Sequence, residues 1–303
     1  LRAAALALVL HQLRAALRRR RHGLQIQGTI CLVTGASSGV GAATAIQLAK
    51  KGAAKVILVA RNRERLDEVA ESVRDAGSTP VVIPTDCSDS EQVDNLCGDV
   101  LGEHGIPSLI VHAAGAGRWR RLTETSAEEA LACMDAPYAA ALLVSRVFLS
   151  SMLKLERAHI CLIQSPACVV APAGATAYTS TRFALRGLYE ALWSDLYGTS
   201  IIVSQVILNE VADSYYFEGD EIGHSRIPSI ANLLGAPTAC ETCAKAIVRA
   251  AEDGATAGCS NVLLQANIFL AQCLPGLFSL LTCLTSPGRY ALCTEPDRLA
   301  IAS

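Results

Sequence analysis

A phenol and a guanidinium, Tyr178 and Arg182, stand four residues apart in this chain, with a hydroxyl, Ser165, thirteen residues before the phenol. Residues four apart share one face of a helix. A phenol has a reference pKa of about 10, so it exchanges protons near neutrality only when a neighbouring cation stabilises the phenolate. Arg182 can supply that charge. It cannot pass a proton on, because guanidinium keeps its own in proteins, whereas a lysine at this position could do both.

A second group of residues points to a nucleotide. The apolar run from Ile30 to Val33 leads into Thr34-Gly35-Ala36-Ser37-Ser38-Gly39-Val40-Gly41 and then into a helical pattern from Ala42 to Lys51. That order predicts strand, glycine turn and helix, in which backbone N–H groups and the positive end of the helix can approach a pyrophosphate. Gly35, Ser37, Ser38, Gly39, Val40 and Gly41 are the expected contacts. A second strand, Val56 to Ala60, ends where such folds place a ribose-binding acid, roughly 20 residues past the glycines. That place holds Ala60 and then Arg61. With no carboxylate for a 2′-hydroxyl and a guanidinium beside it, the site is predicted to take NADP(H) in preference to NAD(H). The alternative is that Arg61 only opens a solvated turn, Asn62-Arg63-Glu64-Arg65.

With these residues the chain resembles the short-chain dehydrogenase/reductase family, whose Thr-Gly-x-x-x-Gly-x-Gly signature it matches in full, over roughly Gly28 to Gly254. The resemblance implies a doubly wound parallel α/β sheet of the Rossmann type in one domain. It also assigns roles. Ser165 would polarise a substrate carbonyl, Tyr178 would donate the proton and the nicotinamide the hydride. Asp86 and Cys87, after a strand from Val81 to Pro84, would meet the adenine, and Ala114 and Gly115 would let the cofactor approach the backbone.

The departures from the family pattern are as informative. Arg182 replaces its lysine, and Asp135 stands where it has a catalytic asparagine. Taken together, the two predict an ion pair that holds Arg182 away from Tyr178. His112-Ala113-Ala114-Gly115 replaces Asn-Asn-Ala-Gly after the strand Leu109 to Val111, with His112 read as a structural stand-in. After the strand Ile201 to Ile207, Leu208-Asn209 replaces Pro-Gly, and Asn209 could keep the turn by adopting a left-handed backbone. The segment from Glu210 to Leu234, with Tyr215, Tyr216 and Phe217, is either a substrate lid or a surface loop packed by its aromatics.

Composition bounds the rest. The 303 residues, 51% hydrophobic, suffice for one large core. Strands alternate with helices, one of them opened by the capping box Ser126-Ala127-Glu128-Glu129. Twelve cysteines without secreted-domain spacing indicate a reducing, intracellular compartment. Cys240 and Cys243 form the only close pair, in a helix predicted from Thr238 to Glu252, and no metal site is expected.

The two ends differ from the middle. Residues 1 to 22 hold six arginines and no acid, against 20 basic and 28 acidic residues in the remainder. Leu6, Leu10, Leu13 and Leu17 share a helical face, which suits an anionic membrane surface or an organellar import signal of mitochondrion or endoplasmic reticulum. The uncharged run Ala3 to Leu13 is too short to span a bilayer, and since the chain opens with Leu, a longer upstream anchor stays open. Val262 to Thr285 carries no charge and is broken by Pro275-Gly276. It is read as paired apolar helices on a membrane or partner, the alternative being a last core strand with covering helices. The expected organisation is an Arg-rich segment, residues 1 to 22, a dinucleotide domain, residues 24 to 258, and an apolar segment, residues 259 to 303.

Two functions from different classes follow. One is an NADP(H)-dependent oxidoreductase on a lipid-like ketone or alcohol at a membrane, resembling the branch that reduces ketosphinganine and long-chain oxoacyl groups. The other is an accessory subunit of a membrane protein complex that keeps the nucleotide without turnover. No nucleic-acid partner is expected, and a homo-oligomer is left open.

Overall fold

The computed structural model describes residues 23–289 apart from Ala116, Tyr215, Gly219 and the side chains of residues 232–234. The Arg-rich stretch of residues 1 to 22 and residues 290–303 therefore lie outside the described residues.

Seven parallel strands form one sheet in the order β3-β2-β1-β4-β5-β6-β7, namely β1 (Ile30–Thr34), β2 (Lys55–Ala60), β3 (Thr79–Pro84), β4 (Leu109–His112), β5 (Ala158–Gln164), β6 (Ile201–Ile207) and β7 (Ala257–Cys259). The period of two along each strand divides the core. Cys31, Val33, Val56, Leu58, Leu109 and Val111 face one apolar layer, and Leu32, Ile57, Val59, Ile110, Ile160 and Leu162 face the other. Both faces are covered, which is why these strands read as unbroken apolar runs. On the first face lie α1 (Gly39–Lys50), α2 (Arg63–Asp75) and α8 (Cys240–Glu252). On the second lie α3 (Ser90–Asp99), α5 (Ala140–Met152) and α6 (Thr176–Asp195). The strand order reverses at β1 between β2 and β4, and ligands of open α/β sheets bind at the carboxyl ends beside such a switch point.

The short helix α4 (Ala127–Ala132) carries the expected capping box, Ser126 Oγ accepting from Glu129 N at 3.1 Å and Glu129 returning to Ser126 N. A π-helical turn at Asp135–Ala139 joins it to α5. This joined stretch, Ala127–Met152, is long and apolar enough to cross a membrane, but its α5 part buries Ala140, Val144, Phe148 and Met152 against the sheet, as a helix covering a parallel sheet does. Strand β7 runs across the boundary expected at residue 258. Beyond it, α9 (Val262–Cys273) and α10 (Pro275–Thr285) are bent 115° from one another. Between β6 and α8, the described residues of the segment 210–234 form α7 (Glu221–Ser225) and a 3₁₀ stretch, Ser229–Leu234.

Candidate active site

The carboxyl ends of the central strands open onto a cavity of about 960 Å³. Gly35, Ser37, Ser38, Gly39, Val40, Gly41, Arg61, Asp86, Cys87, Ala114 and Gly115 line it, and so do Ser165, Tyr178, Arg182 and Asp135. Residues spread over more than 140 positions thus meet in one place because each follows, or lies beside, the end of a central strand.

The nucleotide side is set by backbone packing. A Cβ on Gly41 would lie 2.1 Å from the Gly35 carbonyl oxygen, and one on Gly35 would lie 2.7 Å from the Ala114 backbone. The turn after β1 therefore packs main chain to main chain on the turn after β4, which any side chain would prevent. Gly39 has room around it but sits at φ +53°, so there the conformation requires glycine. Ser38 makes no side-chain cap to α1 and the first turn of α1 has no acid, leaving its N–H groups to an anion in the cavity. These features fit the diphosphate of a dinucleotide.

Around the expected ribose and adenine positions, Arg61 is joined by Arg65 on the cavity wall. The sequence reading left Arg65 in a solvated turn, although its spacing of four from Arg61 was the available signal. Asn62 caps α2, its Oδ1 accepting from Arg65 N at 2.9 Å. Asp86 accepts from Ser88 Oγ at 2.6 Å and Ser88 N at 3.0 Å. Those bonds, with a smaller contribution from the charge of Arg61, hold its carboxyl below the usual range despite partial burial.

His112 closes β4 with its Nε2 3.0 Å from Ser145 Oγ of α5. Complete burial pushes its pKa down to about 3, so the ring is neutral at working pH and acts as a strut between sheet and helix. His159 in β5 makes the same kind of contact with Ser204, at 2.8 Å.

On the catalytic side, Ser165 follows β5 and its Oγ accepts from Ala167 N at 3.3 Å. Tyr178 and Arg182 lie in the first half of α6, only 5% and 7% exposed. The guanidinium carbon of Arg182 is 5.0 Å from the centroid of the Tyr178 ring, within cation–π range. One terminal nitrogen donates to the Ile163 carbonyl at 3.2 Å, and the other lies where a Cβ on Gly115 would be 3.4 Å away. The Nε–H is buried without an acceptor among the described residues.

The expected ion pair with Asp135 does not form. Asp135 is exposed at the start of its π-helical turn, and it makes no ion pair with Arg182. The reason is geometric. The Ile163 carbonyl near the carboxyl end of β5, and the space left by Gly115, give the planar group a slot beside the Tyr178 ring. A left-handed Asn209 is also corrected, since among the described residues only glycines have positive φ. Asn209 works through its side chain instead. Its Nδ2 donates to Ala236 O at 2.7 Å, and its Oδ1 accepts from Thr238 Oγ1 at 2.7 Å and Ser260 Oγ at 2.8 Å.

The segment 210–234 lies over Tyr178. Trp119, Ala167, Ala175 and Tyr178 form a small core against which Tyr216, Phe217 and Ile227 pack. Tyr215, the third aromatic of the expected lid, lies outside the described residues. Tyr216 donates its hydroxyl to Gly117 O at 2.6 Å, with its ring 6.0 Å from that of Tyr178. Two ion pairs fasten this cover to residues 119–124. Asp220 meets Arg120 at 2.7 Å, and Arg226 grips Glu124, its second nitrogen at 2.8 Å from Oε1. Burial alone would raise the Asp220 carboxyl, but Arg120 and the Gly223 N–H hold it below the usual range; Arg226 does the same for Glu124. None of these partners was singled out in the sequence, where they lie about a hundred residues apart.

The 11 described cysteines are free. Cys240 and Cys243 sit on the buried side of α8, where burial raises their thiols to about 12 and about 11.

A parallel sheet that presents a glycine cradle, a neighbouring arginine and a buried tyrosine in one cavity defines a dinucleotide-binding α/β protein. The family model for short chain dehydrogenases matches residues 29–214. The chain belongs to that family. Among curated relatives, an uncharacterized oxidoreductase of Staphylococcus epidermidis is 26% identical over 213 residues, covering 70% of this chain and 90% of the relative. One of Staphylococcus aureus is 29% identical over 177 residues, covering 58% and 75%. Among solved structures, a short chain dehydrogenase/reductase from Burkholderia phymatum in complex with NAD superposes with a TM-score of 0.72 at 23% identity, covering 84% of this chain and 96% of that one. A metagenomic short-chain oxidoreductase in complex with NADP gives 0.64 at 26% identity, covering 78% and 96%.

Proposed function

We propose that this protein is an NADP(H)-dependent oxidoreductase that interconverts an apolar, lipid-like ketone and its alcohol. The observation that carries the reading is the buried Arg182 guanidinium against the Tyr178 ring, claimed by no carboxylate. A buried cation without an anionic partner is costly, and it is retained where a bound anion or a developing negative charge uses it. In the reductive direction Tyr178 gives its phenolic proton to the substrate oxygen, and the phenolate left behind is stabilised by Arg182. Ser165 Oγ–H donates a hydrogen bond to the same oxygen. The nicotinamide, when bound, exchanges the hydride. Arg182 lines the cavity, where its guanidinium is suited to a ribose hydroxyl. Since guanidinium does not release its proton, Tyr178 is reprotonated through cavity water rather than through residue 182.

The preference for the 2′-phosphate form rests on Arg61 with Arg65 and on the absence of an acid at Ala60. The accessory-subunit reading rests on Arg182, Asp135, His112 and Leu208-Asn209 in place of the family's residues, and the lack of an Arg182–Asp135 pair removes one of its supports, since Arg182 is not drawn away from Tyr178. The test is NADPH oxidation against a panel of acyl ketones. Tyr178→Phe should lower turnover by about 100-fold or more while still binding nucleotide. A wild-type protein that binds nucleotide and stays silent across the panel would restore the accessory role.

A further inference from the structure

The helices α9 and α10 have two unlike sides. Inward, Ile268, Ala271 and Phe278 line the active-site cavity beside Ile227 and Ile230 of the covering segment. The chain just past α10 is fastened to two segments: Ser286 Oγ accepts from Ala173 N, in the loop before α6, at 3.3 Å, and Gly288 O accepts from Arg121 Nε, after β4, at 2.9 Å. Outward, eight large apolar side chains are exposed on this pair, among them Val262 at 81%, Phe269 at 64% and Leu280 at 55%. No charged residue occurs from Val262 to Thr285. Scattered exposed leucines are ordinary, but a contiguous uncharged surface of this kind marks an interaction site.

We propose that the α9–α10 hairpin is a membrane-seated wall of the active site. Its outer side rests in the apolar margin of an anionic lipid leaflet, and an apolar substrate passes from that leaflet along its inner side to Tyr178. The substrate half of this statement rests on the oxidoreductase reading; the membrane half does not. Helices of 12 and 11 residues measure roughly 18 and 16 Å at about 1.5 Å per residue, against about 30 Å of hydrocarbon, and the 115° bend prevents them from acting as one span. They can lie in the interface but not cross it. Charge selects the leaflet. Six arginines without an acid in residues 1–22 complement anionic lipid, whereas the remaining 20 basic and 28 acidic residues would be repelled from it. The cores of protein–protein interfaces are depleted of charge but their rims are polar and charged, whereas no charged residue occurs anywhere on this pair.

The experiment is flotation of the full chain with vesicles of mixed phosphatidylcholine and phosphatidylglycerol, at low and high salt. The wild type should float, and part of the binding should survive high salt because apolar contact is not screened. Leu277→Glu with Leu280→Glu, both outside the cavity wall, should reduce the bound fraction about tenfold or more. This variant should keep its melting temperature and its activity on a short, water-soluble ketone while losing activity on a long-chain ketone presented in vesicles. Phe269→Gln should move binding the same way by a smaller amount and serves if the double variant does not fold. The proposal is overturned if the wild type stays below the vesicles or if both variants float as well as it does. A wild-type dimer that the double variant turns into a monomer, without flotation, would also overturn it and assign the face to a second copy. Normal flotation behaviour with no reduction of any ketone would leave the membrane seat standing and remove the oxidoreductase reading alone.

Discussion

The two sides of the cavity are built by different means. The nucleotide side is a backbone device in which Gly35, Gly39 and Gly41 serve by having no side chain. The catalytic side is a side-chain device, in which Arg182 lies against Tyr178 and the covering segment is held by Trp119, Tyr216, Arg226 and Glu124. Backbone sterics are local, so they tolerate almost no substitution but leave a plain sequence signature. Side-chain contacts between distant segments tolerate exchange, as Arg at 182 and Asp at 135 show, and leave almost none. A family can therefore keep its cofactor cradle while its chemistry and substrate drift.

The largest effect should come from a single methyl group. Gly41→Ala would place a Cβ against the Gly35 carbonyl, and nucleotide should no longer raise the melting temperature. Gly39→Ala, strained but uncrowded, should weaken binding by only about 1 kcal/mol. Equal losses for both would mean that space is not what the cradle protects. Next in size, Arg61→Ala should cost about 1.5 to 3 kcal/mol of NADPH affinity in calorimetry and leave NADH nearly unchanged. The same loss for both cofactors would remove the 2′-phosphate assignment.

On the other side of the cavity, Arg226→Met removes the grip on Glu124 and the bond to Trp119 O, which should loosen the cover by about 1 to 2 kcal/mol. Faster proteolysis within residues 210–234 at an unchanged global melting temperature is the expected readout. Acid should act in the same way. Glu124 and Asp220 are held below their unfolded pKa values, so their contribution is complete at neutral pH and disappears as pH falls through and below about 4. A cover whose proteolysis is flat from pH 6 to about 3 would show that packing, not these pairs, closes it. The smallest effect belongs to Asp135→Asn. Because Asp135 holds nothing, turnover should change by less than about twofold. A large change would return Asp135 to the reaction.

The short β7 (Ala257–Cys259) was not legible in the sequence, whereas six of the seven strands, the glycine turn and, through the family resemblance, the places of Ser165, Tyr178 and Arg182 were. Each is written in a short segment whose period or steric demand has one reading. Arg65 is equally local, four residues from Arg61, but such a spacing in a charged segment also fits a solvated helix start, and only the fold puts Arg65 on the cavity wall. The rest lay beyond any local reading. Pairing Asp135 with Arg182 was reasonable by charge, yet the direction of a long side chain is chosen by the nearest acceptor and the nearest gap, here Ile163 O and Gly115. Asn209 was judged by the backbone it could adopt, whereas its role comes from Ala236, Thr238 and Ser260, which only folding brings to it.

The sequence by itself determined a parallel α/β protein with a dinucleotide cradle, because glycine sterics act over a few residues and short apolar runs alternate with helical patterns along the chain. Tertiary structure alone decided that Arg182 faces Tyr178, that residues 210–234 close over it through partners about a hundred positions away, and that α9 and α10 share a wall with the cavity. Those contacts join segments far apart in the chain, and their geometry does not exist until the sheet has set the distance between its loops.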